Sequence, residues 1–507
     1  MPSHALKHEP LDAYNLALTE NLHPSGWLNP TPADRYNMVV IGAGTAGLVT
    51  AAGAAILGAK VALVERDYMG GDCLNFGCVP SKALIRSARA AAAVRDAGRF
   101  GVEVPLGMRV NFAAVMERMR KLRAELSPTD SANRFRGLGV DVFIGDGRFV
   151  APDVVEVDGK RLKFKKAAIT TGARAASLPI PGLAEAGYLT NETVFSLTEL
   201  PRRIAVIGAG PIGCELAQTF ARFGAQVFLL EVASQILIRE DRDAAERVER
   251  AIVRDGVEII TGCKIHGVGL RGNEKILATE RDGVRREIDV DEILIGVGRV
   301  PAVEGLNLEA AMIEYDKQNG VKVDDHLRTT NPLVYAGGDV ASPYKFTHLS
   351  DAHARIIIRN ALFFGRQRAS QLTIPWCTYT DPEIAHVGLY EAEAKQRGIS
   401  VATYTQELKE VDRAVLDGET DGFVKVLVKE GSDQIIGATI VASHAGEIIS
   451  ELTTAIKAGV GLGTLGDVIH PYPTQADAIR RAAGLYTRTR LTPFVAGLMK
   501  RWFAFTR

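Results

Sequence analysis

A Gly-x-Gly-x-x-Gly turn occurs twice in this chain, each time between an apolar strand-like run and a helix-like stretch. The first copy is Gly42, Gly44 and Gly47, after Tyr36–Ile41 and before an alanine-rich segment that runs to about residue 58. The second is Gly208, Gly210 and Gly213, after the apolar run that begins at Ile204. Each unit returns to a second apolar run that ends in an acid, Glu65 or Glu231, 23 positions beyond its first glycine (65 − 42 and 231 − 208). In such a unit the first glycine makes a tight turn. The second lets a pyrophosphate approach the helix N-terminus, the third lets helix and strand pack closely, and the acid takes ribose hydroxyls. Two copies imply an α/β chain with two nucleotide sites. A carboxylate at Glu231 accepts from a free 2′-hydroxyl and repels a 2′-phosphate, and the next arginine is only at Arg239. The second site is therefore expected to favour NAD(H) over NADP(H).

Between the copies, residues 70–82 read Gly-Gly-Asp-Cys-Leu-Asn-Phe-Gly-Cys-Val-Pro-Ser-Lys. Cys73 and Cys78 are five apart and can close a small disulfide ring. Gly77 and Pro80 point to a helix starting at the second cysteine, where Pro is tolerated in the first turn. A thiol there feels the positive helix end and the adjacent Lys82, and both favour thiolate. A redox-active disulfide working beside a cofactor is the leading expectation. A structural disulfide belongs to secreted chains, and residues 1–35 show no apolar core of a signal peptide. A zinc site needs a second ligand pair, and none lies nearby. Two inert buried thiols remain the other alternative. Cys214, Cys263 and Cys377 are expected to be structural, and His348, His353 and His386 lack metal-ligand spacing and are expected to pack.

Lys+Arg and Asp+Glu are balanced at 60 each in 507 residues, which leaves no electrostatic footprint for nucleic acid. The length suits about three or four domains. Five cysteines are cytosol-like usage, so a cytoplasmic location is expected. No apolar run approaches the ~20 residues of a membrane span. Residues 1–35 read as an irregular extension with Trp27 and Leu28 as candidate anchors. Residues 111–137 read as one long helix whose basic face (Arg118, Arg120, Lys121, Arg123) meets solvent. Gly337-Gly338-Asp339 ends a buried strand, and an acid there suits a cofactor hydroxyl. From about residue 373 a last domain begins, with helices near 445–458 and 475–487. The tail, 491–507, is apolar and basic; docking on its own or a partner subunit is expected, with contact to a membrane surface the weaker alternative.

With these motifs the chain resembles the flavoprotein pyridine-nucleotide–disulfide oxidoreductases, the group of dihydrolipoamide dehydrogenase, glutathione reductase and mercuric reductase. The resemblance spans about residues 36–490. It rests on both fingerprints, the Cys73–Cys78 motif, Gly337-Gly338-Asp339 and the segment Thr380–Gly388. It implies two Rossmann-like dinucleotide-binding domains and a C-terminal α+β dimerisation domain. The expected division is an extension at 1–35, an FAD domain at 36–185 and 296–370, a nicotinamide domain at 186–295, a dimerisation domain at 371–490 and the tail at 491–507. FAD is expected on Gly42, Gly44, Gly47, Glu65, Gly71, Lys82, Gly147, Thr171, Gly172 and Asp339. The nicotinamide nucleotide is expected on Gly208, Gly210, Gly213, Glu231 and Gly298. The resemblance further implies a homodimer, Cys78 against the flavin, Cys73 as the thiol that meets substrate, and a Lys82–Glu215 pair near the flavin.

The departure lies in the last motif. Disulfide-reducing members carry His-Pro-Thr followed by a Glu, whereas this chain has Tyr472-Pro473-Thr474 with Asp477 in the acid position. His470 aligns only if both matches are abandoned. A tyrosine, with an unperturbed pKa of about 10, is a poor proton shuttle for thiols but a sound hydroxyl donor. The same substitution marks mercuric reductases, whose soft metal substrate suits thiolates. Against full identity, neither the tail nor residues 1–35 carry the cysteine pairs that many mercuric reductases have. The expected function is an FAD-dependent NAD(P)H oxidoreductase that passes electrons through Cys73–Cys78 to a thiol-reactive acceptor such as Hg(II). No fixed metal site is expected, and the two cysteines would hold the metal only transiently. Dihydrolipoamide dehydrogenase, or another disulfide reductase, is the alternative of the same class. A low-turnover flavoprotein redox sensor or interaction partner is the alternative of another class.

Overall fold

The computed structural model describes residues 7–507. The chain divides into two compact units, Met1–Val232 with Val257–Leu372 and Ala233–Gly256 with Thr373–Arg507. The segment Ala233–Gly256 lies within the span 186–295 expected for the nicotinamide domain, and it groups with the last unit.

In the first unit each fingerprint builds its own parallel sheet. Asp141–Ile144, Val61–Glu65, Tyr36–Ile41 and Lys160–Ile169 lie side by side in parallel, and Val334–Ala336 pairs parallel with Lys160–Ile169. The register sets Ile41 beside Val64 on one side and Ile169 on the other. Val61–Val64, Met38–Ile41 and the end of the last strand, Ala167–Ile169, are continuously apolar and buried, whereas Lys160–Lys166 alternates basic and apolar residues. The second sheet runs Val257–Ile260, Gln226–Leu230, Arg203–Ile207 and Glu292–Ile295, again all parallel. An antiparallel meander, Lys264–Arg271, Glu274–Arg281 and Val284–Val290, completes this part of the chain. Mixed α/β architecture with two dinucleotide-type folds is what the sequence implied.

Two sequence expectations fail here. The extension is not irregular: Ala13–Leu22 is a helix capped by Asp12, and Leu18 and Leu22 are fully buried. Trp27 anchors through a hydrogen bond from its indole nitrogen to the Val142 carbonyl at 3.1 Å, whereas Leu28 stays exposed. The long helix at 111–137 breaks into Phe112–Leu126, a 3-10 turn at Ser127–Asp130 and a short helix Ala132–Gly137. Its basic residues do not all meet solvent. Arg118 and Lys121 are exposed, but Arg120 and Arg123 are buried against the N-terminal helix. Arg120 Nε lies 2.5 Å from Asp12, and Arg123 donates to Asn15 Oδ1 (2.8 Å) and the Asn75 carbonyl (2.7 Å). Helical spacing marks which residues share a face; it does not say which face a later-docked segment covers.

The second unit is a five-stranded antiparallel sheet in the order Pro375–Thr378, Glu383–Gly388, Ile435–Ala442, Phe423–Lys429, Val401–Glu407. Helices Ala445–Ala458 and Asp477–Thr489 pack on it over a core of Val, Ile, Leu and Ala. Lys425 would be costly inside this unit, but Asp241 (2.9 Å) and Asp243 (2.7 Å) neutralise it. The tail forms a helix, Pro493–Phe505, in which Val495 and Ala496 are partly covered and no residue is buried.

Candidate active site

The two fingerprint turns are near copies in geometry. Gly42 and Gly208 each sit at φ +98, a conformation that favours glycine. A Cβ on Gly47 would lie 1.8 Å from the Gly42 carbonyl oxygen, and one on Gly213 1.8 Å from that of Gly208, so both third positions admit only glycine. Helices Thr45–Ile56 and Pro211–Phe223 begin after Gly44 and Gly210, neither of which supplies a capping side chain. Their first amides are thus positioned for an anion. Glu65 accepts from the Ala43 amide at 2.6 Å, and Glu231 accepts from the Ala209 amide at 2.7 Å. Burial pushes the Glu65 carboxyl up from its ordinary value.

The redox motif sits directly on the first turn. Gly71, at φ +58, packs so closely that a Cβ there would lie 2.5 Å from Gly44 Cα. It opens a short helix, Gly71–Asn75, that carries Cys73. Cys78 is the first residue of the helix Cys78–Arg95, whose cap, Gly77, offers no side chain. Both cysteines are free thiols; Cys78 is exposed and Cys73 partly buried. Cys73 donates a hydrogen bond to Cys78, and this chiefly pulls the Cys78 thiol down to about 6. Its surface is exposed, yet the sulfur is packed closely enough that desolvation opposes the shift, and the Lys82 ammonium and Thr347 add to it. The same hydrogen bond, with burial, pushes Cys73 well up. The pair therefore holds one proton, on Cys73, and leaves the charge on Cys78.

Around this pair stand Thr347, Arg299 and Asn191, which no local motif announces, together with the expected Lys82–Glu215 pair. Thr347 Oγ1, at the start of helix Thr347–Leu362, is 3.5 Å from Cys78 Sγ. Asp72, next to Cys73, accepts from Arg299 (2.6 Å) and Asn191 (2.8 Å). Asp72 raises both thiols, and Arg299 offsets it. Lys82 Nζ lies 2.8 Å from Glu215 Oε2, joining the redox helix to the helix of the second fingerprint.

The remaining expected cofactor residues lie near the ends of strands, Gly298 beyond the second sheet and the others at the first. Asp339 is the middle residue of the 3-10 turn Gly338–Val340 after Val334–Ala336; burial pushes its carboxyl up, and Arg299 Nε is 4.0 Å away. That Arg299 nitrogen is itself buried without a hydrogen-bond partner. Gly147 packs where a Cβ would meet Val64 Cγ1 at 2.9 Å. Thr171 donates to the Ala302 carbonyl at 2.7 Å, Gly172 has φ +73, and Gly298 has φ +111 with open space beside it. A glycine cradle, an uncapped helix, a buried carboxylate and an orphaned guanidinium nitrogen fit a dinucleotide carrying phosphates and ribose hydroxyls.

Tyr472 and Asp477 belong to the second unit. Tyr472 is exposed, and its hydroxyl donates to Asp412 at 2.8 Å, which raises its pKa. Asp477 is held by Arg480 (2.8 Å) and Arg481 (2.6 Å), not by Tyr472. His470 pairs with Glu451 at 2.9 Å, its side chain only 5% exposed, and so is turned into its own unit. His353 is buried and accepts from the Gly338 amide at 3.2 Å; His386 is buried and stacked on Tyr390. Among the described residues no group of His, Cys, Asp and Glu could hold a metal ion.

Two nucleotide-type turns with a dithiol packed on the first define a flavoprotein disulfide oxidoreductase. The chain belongs to the pyridine nucleotide-disulphide oxidoreductases: that family's model matches residues 36–355, and its dimerisation domain matches residues 374–483. A dimerisation domain implies a homodimer, and FAD is the flavin expected for the family. Mercuric reductase of Bacillus cereus is 32% identical over 94% of this chain and 75% of its own length. Dihydrolipoyl dehydrogenase of Bacillus subtilis (strain 168) is also 32% identical, over 89% of this chain and 98% of its own. Among solved structures, the HOCl-induced flavoprotein disulfide reductase RclA of Escherichia coli superposes at TM-score 0.79 with 28% identity. That likeness covers 89% of this chain and all of RclA.

Proposed function

We propose that this chain oxidises NADH and delivers two electrons, through FAD and the Cys73–Cys78 pair, to a soft metal ion such as Hg(II). Gly42, Gly44, Gly47, Glu65, Gly71, Gly147, Thr171, Gly172 and Asp339 would hold FAD, which when bound would supply the capacity to take up hydride and release an electron pair. Everything else is the work of this chain's side chains. Gly208, Gly210, Gly213 and Gly298 receive the nucleotide, and Glu231 accepts from its ribose and repels a 2′-phosphate. Lys82, held by Glu215, keeps positive charge beside Cys78. Cys73 retains the proton and Cys78 the charge, so the reduced pair presents one thiol and one thiolate to an incoming ion. Binding Hg(II) as a dithiolate releases the Cys73 proton. Overall NADH becomes NAD⁺ and H⁺, and Hg(II) becomes Hg(0), a two-electron balance.

The observation that carries the metal acceptor is Tyr472, a hydroxyl where thiol–disulfide exchange needs an imidazole. His470 does not replace it, because its ring is buried against Glu451. The Cu(II) complex of the RclA relative, 28% identical and superposing at TM-score 0.79, supports a metal ion as acceptor. In the proposed reaction Tyr472 serves as a hydroxyl donor or ligand and not as a proton shuttle.

The test is an anaerobic reduction with NADH followed by Hg(II), Cu(II), lipoamide and glutathione disulfide in parallel. Reoxidation by a metal ion, lost in Cys73→Ser, is the expected result. Fast reoxidation by lipoamide, with metals inert, would identify a dihydrolipoamide dehydrogenase instead. No turnover with any acceptor would favour a sensor.

A further inference from the structure

We propose that helix Pro493–Phe505 docks this protein on the surface of an anionic lipid bilayer. Each residue turns an α-helix by about 100°. On that spacing Phe494, Val495, Leu498, Met499, Trp502 and Phe505 share one half of the helix. Ala496, Gly497, Lys500, Arg501 and Ala504 share the other. Phe503 lies between the two halves, and Lys500 and Arg501 flank the apolar half, with Arg501 next to Phe494 in projection. Phe494 is 80% exposed and Phe505 85%, and no residue of the helix is buried.

Charge selects the occupant. From Arg488 to Arg507 the chain carries Arg488, Arg490, Lys500, Arg501 and Arg507 and no Asp or Glu. An anionic bilayer answers both halves at once: acyl chains take the aromatic face, and headgroups meet the cations. At 13 residues the helix is about 20 Å long, short of the ~30 Å hydrocarbon core, so it lies on the membrane. A second copy of this chain is the competing occupant. However, the matched dimerisation domain ends at residue 483, ten positions before the helix begins. A copy-to-copy contact through two such tails would also oppose like charges.

The full-length, flavin-loaded protein is mixed with vesicles of phosphatidylcholine alone or with about a quarter phosphatidylglycerol. Sedimentation with the anionic vesicles is expected to exceed that with neutral ones by about tenfold or more, and to fall in ~1 M salt. Leu498→Asp and the pair Lys500→Glu with Arg501→Glu each remove binding and leave NADH oxidation unchanged. Brominated lipid quenches the wild-type protein more than Trp502→Phe, which places Trp502 at the acyl boundary. Equal sedimentation of wild type and Leu498→Asp overturns the proposal. So does loss of dimer mass in Leu498→Asp without vesicle binding in the wild type, which would assign the helix to the partner subunit.

Discussion

Cys78 keeps its negative charge because Cys73 donates to it, Lys82 stands near, and the helix Cys78–Arg95 begins at it. The value of about 6 lies below the ordinary thiol value of 9.0, so the thiolate is present above about pH 6 and is lost as pH falls through it. In the reduced protein, the rate of Cys78 alkylation is expected to drop with a midpoint near that pH. Cys73→Ala removes the donor and moves the midpoint up by about one unit or more. Cys73→Ser keeps a hydroxyl donor and holds the midpoint low, yet abolishes turnover; comparing the two separates hydrogen bonding from redox work. Arg299→Met leaves Asp72 uncompensated and also raises the midpoint, read by the same alkylation profile. The dithiol, its helix start and Lys82 stood in thirteen consecutive residues and were legible there. Thr347 and Arg299 were not. They arrive from 269 and 227 positions away, brought by sheet topology, and one threonine or arginine carries no motif.

The fingerprint elements could be read in advance because their glycines answer a steric demand that a sequence displays directly. Ala in place of Gly47 or Gly213 puts a Cβ 1.8 Å from a carbonyl oxygen, a clash that costs about 3 kcal/mol or more unless the helix shifts. Gly47→Ala is expected to lose flavin on purification. Gly213→Ala is expected to retain flavin while KM for NADH rises at least about tenfold, measured by steady-state kinetics. The N-terminal helix is the opposite case. It buries only Asn15, Leu18 and Leu22, and the segment ahead of it is anchored by a single side chain: His8 bonds Asn75 at 2.9 Å and stacks on Phe76, inside the redox loop itself. No periodicity marks such a docking. Arg123→Ala removes two buried hydrogen bonds from a charged donor and is expected to destabilise the protein by about 2–4 kcal/mol in urea unfolding.

At the scale of the molecule, the match to a dimerisation domain predicts a sedimenting mass twice 54.6 kDa, and a particle that is still two chains when residues 491–507 are removed. The division into parallel-sheet and antiparallel-sheet units followed from chain texture. The grouping of Ala233–Gly256 with the last unit did not, because it depends on Asp241 and Asp243 meeting Lys425, some 180 positions away.

One contact reaches further than its 2.8 Å. Lys82 and Glu215 tie the helix that begins at Cys78 to the helix that begins at the second glycine turn. A nucleotide seated on that turn and a proton on Cys78 are then two ligands of one body, and their affinities obey reciprocity. If the dinucleotide binds more tightly to the thiolate form, it must expel a proton from the thiol form by the same factor. Nucleotide binding at pH 6 would therefore acidify an unbuffered solution, and the fuel would help to set the charge of the thiol it serves.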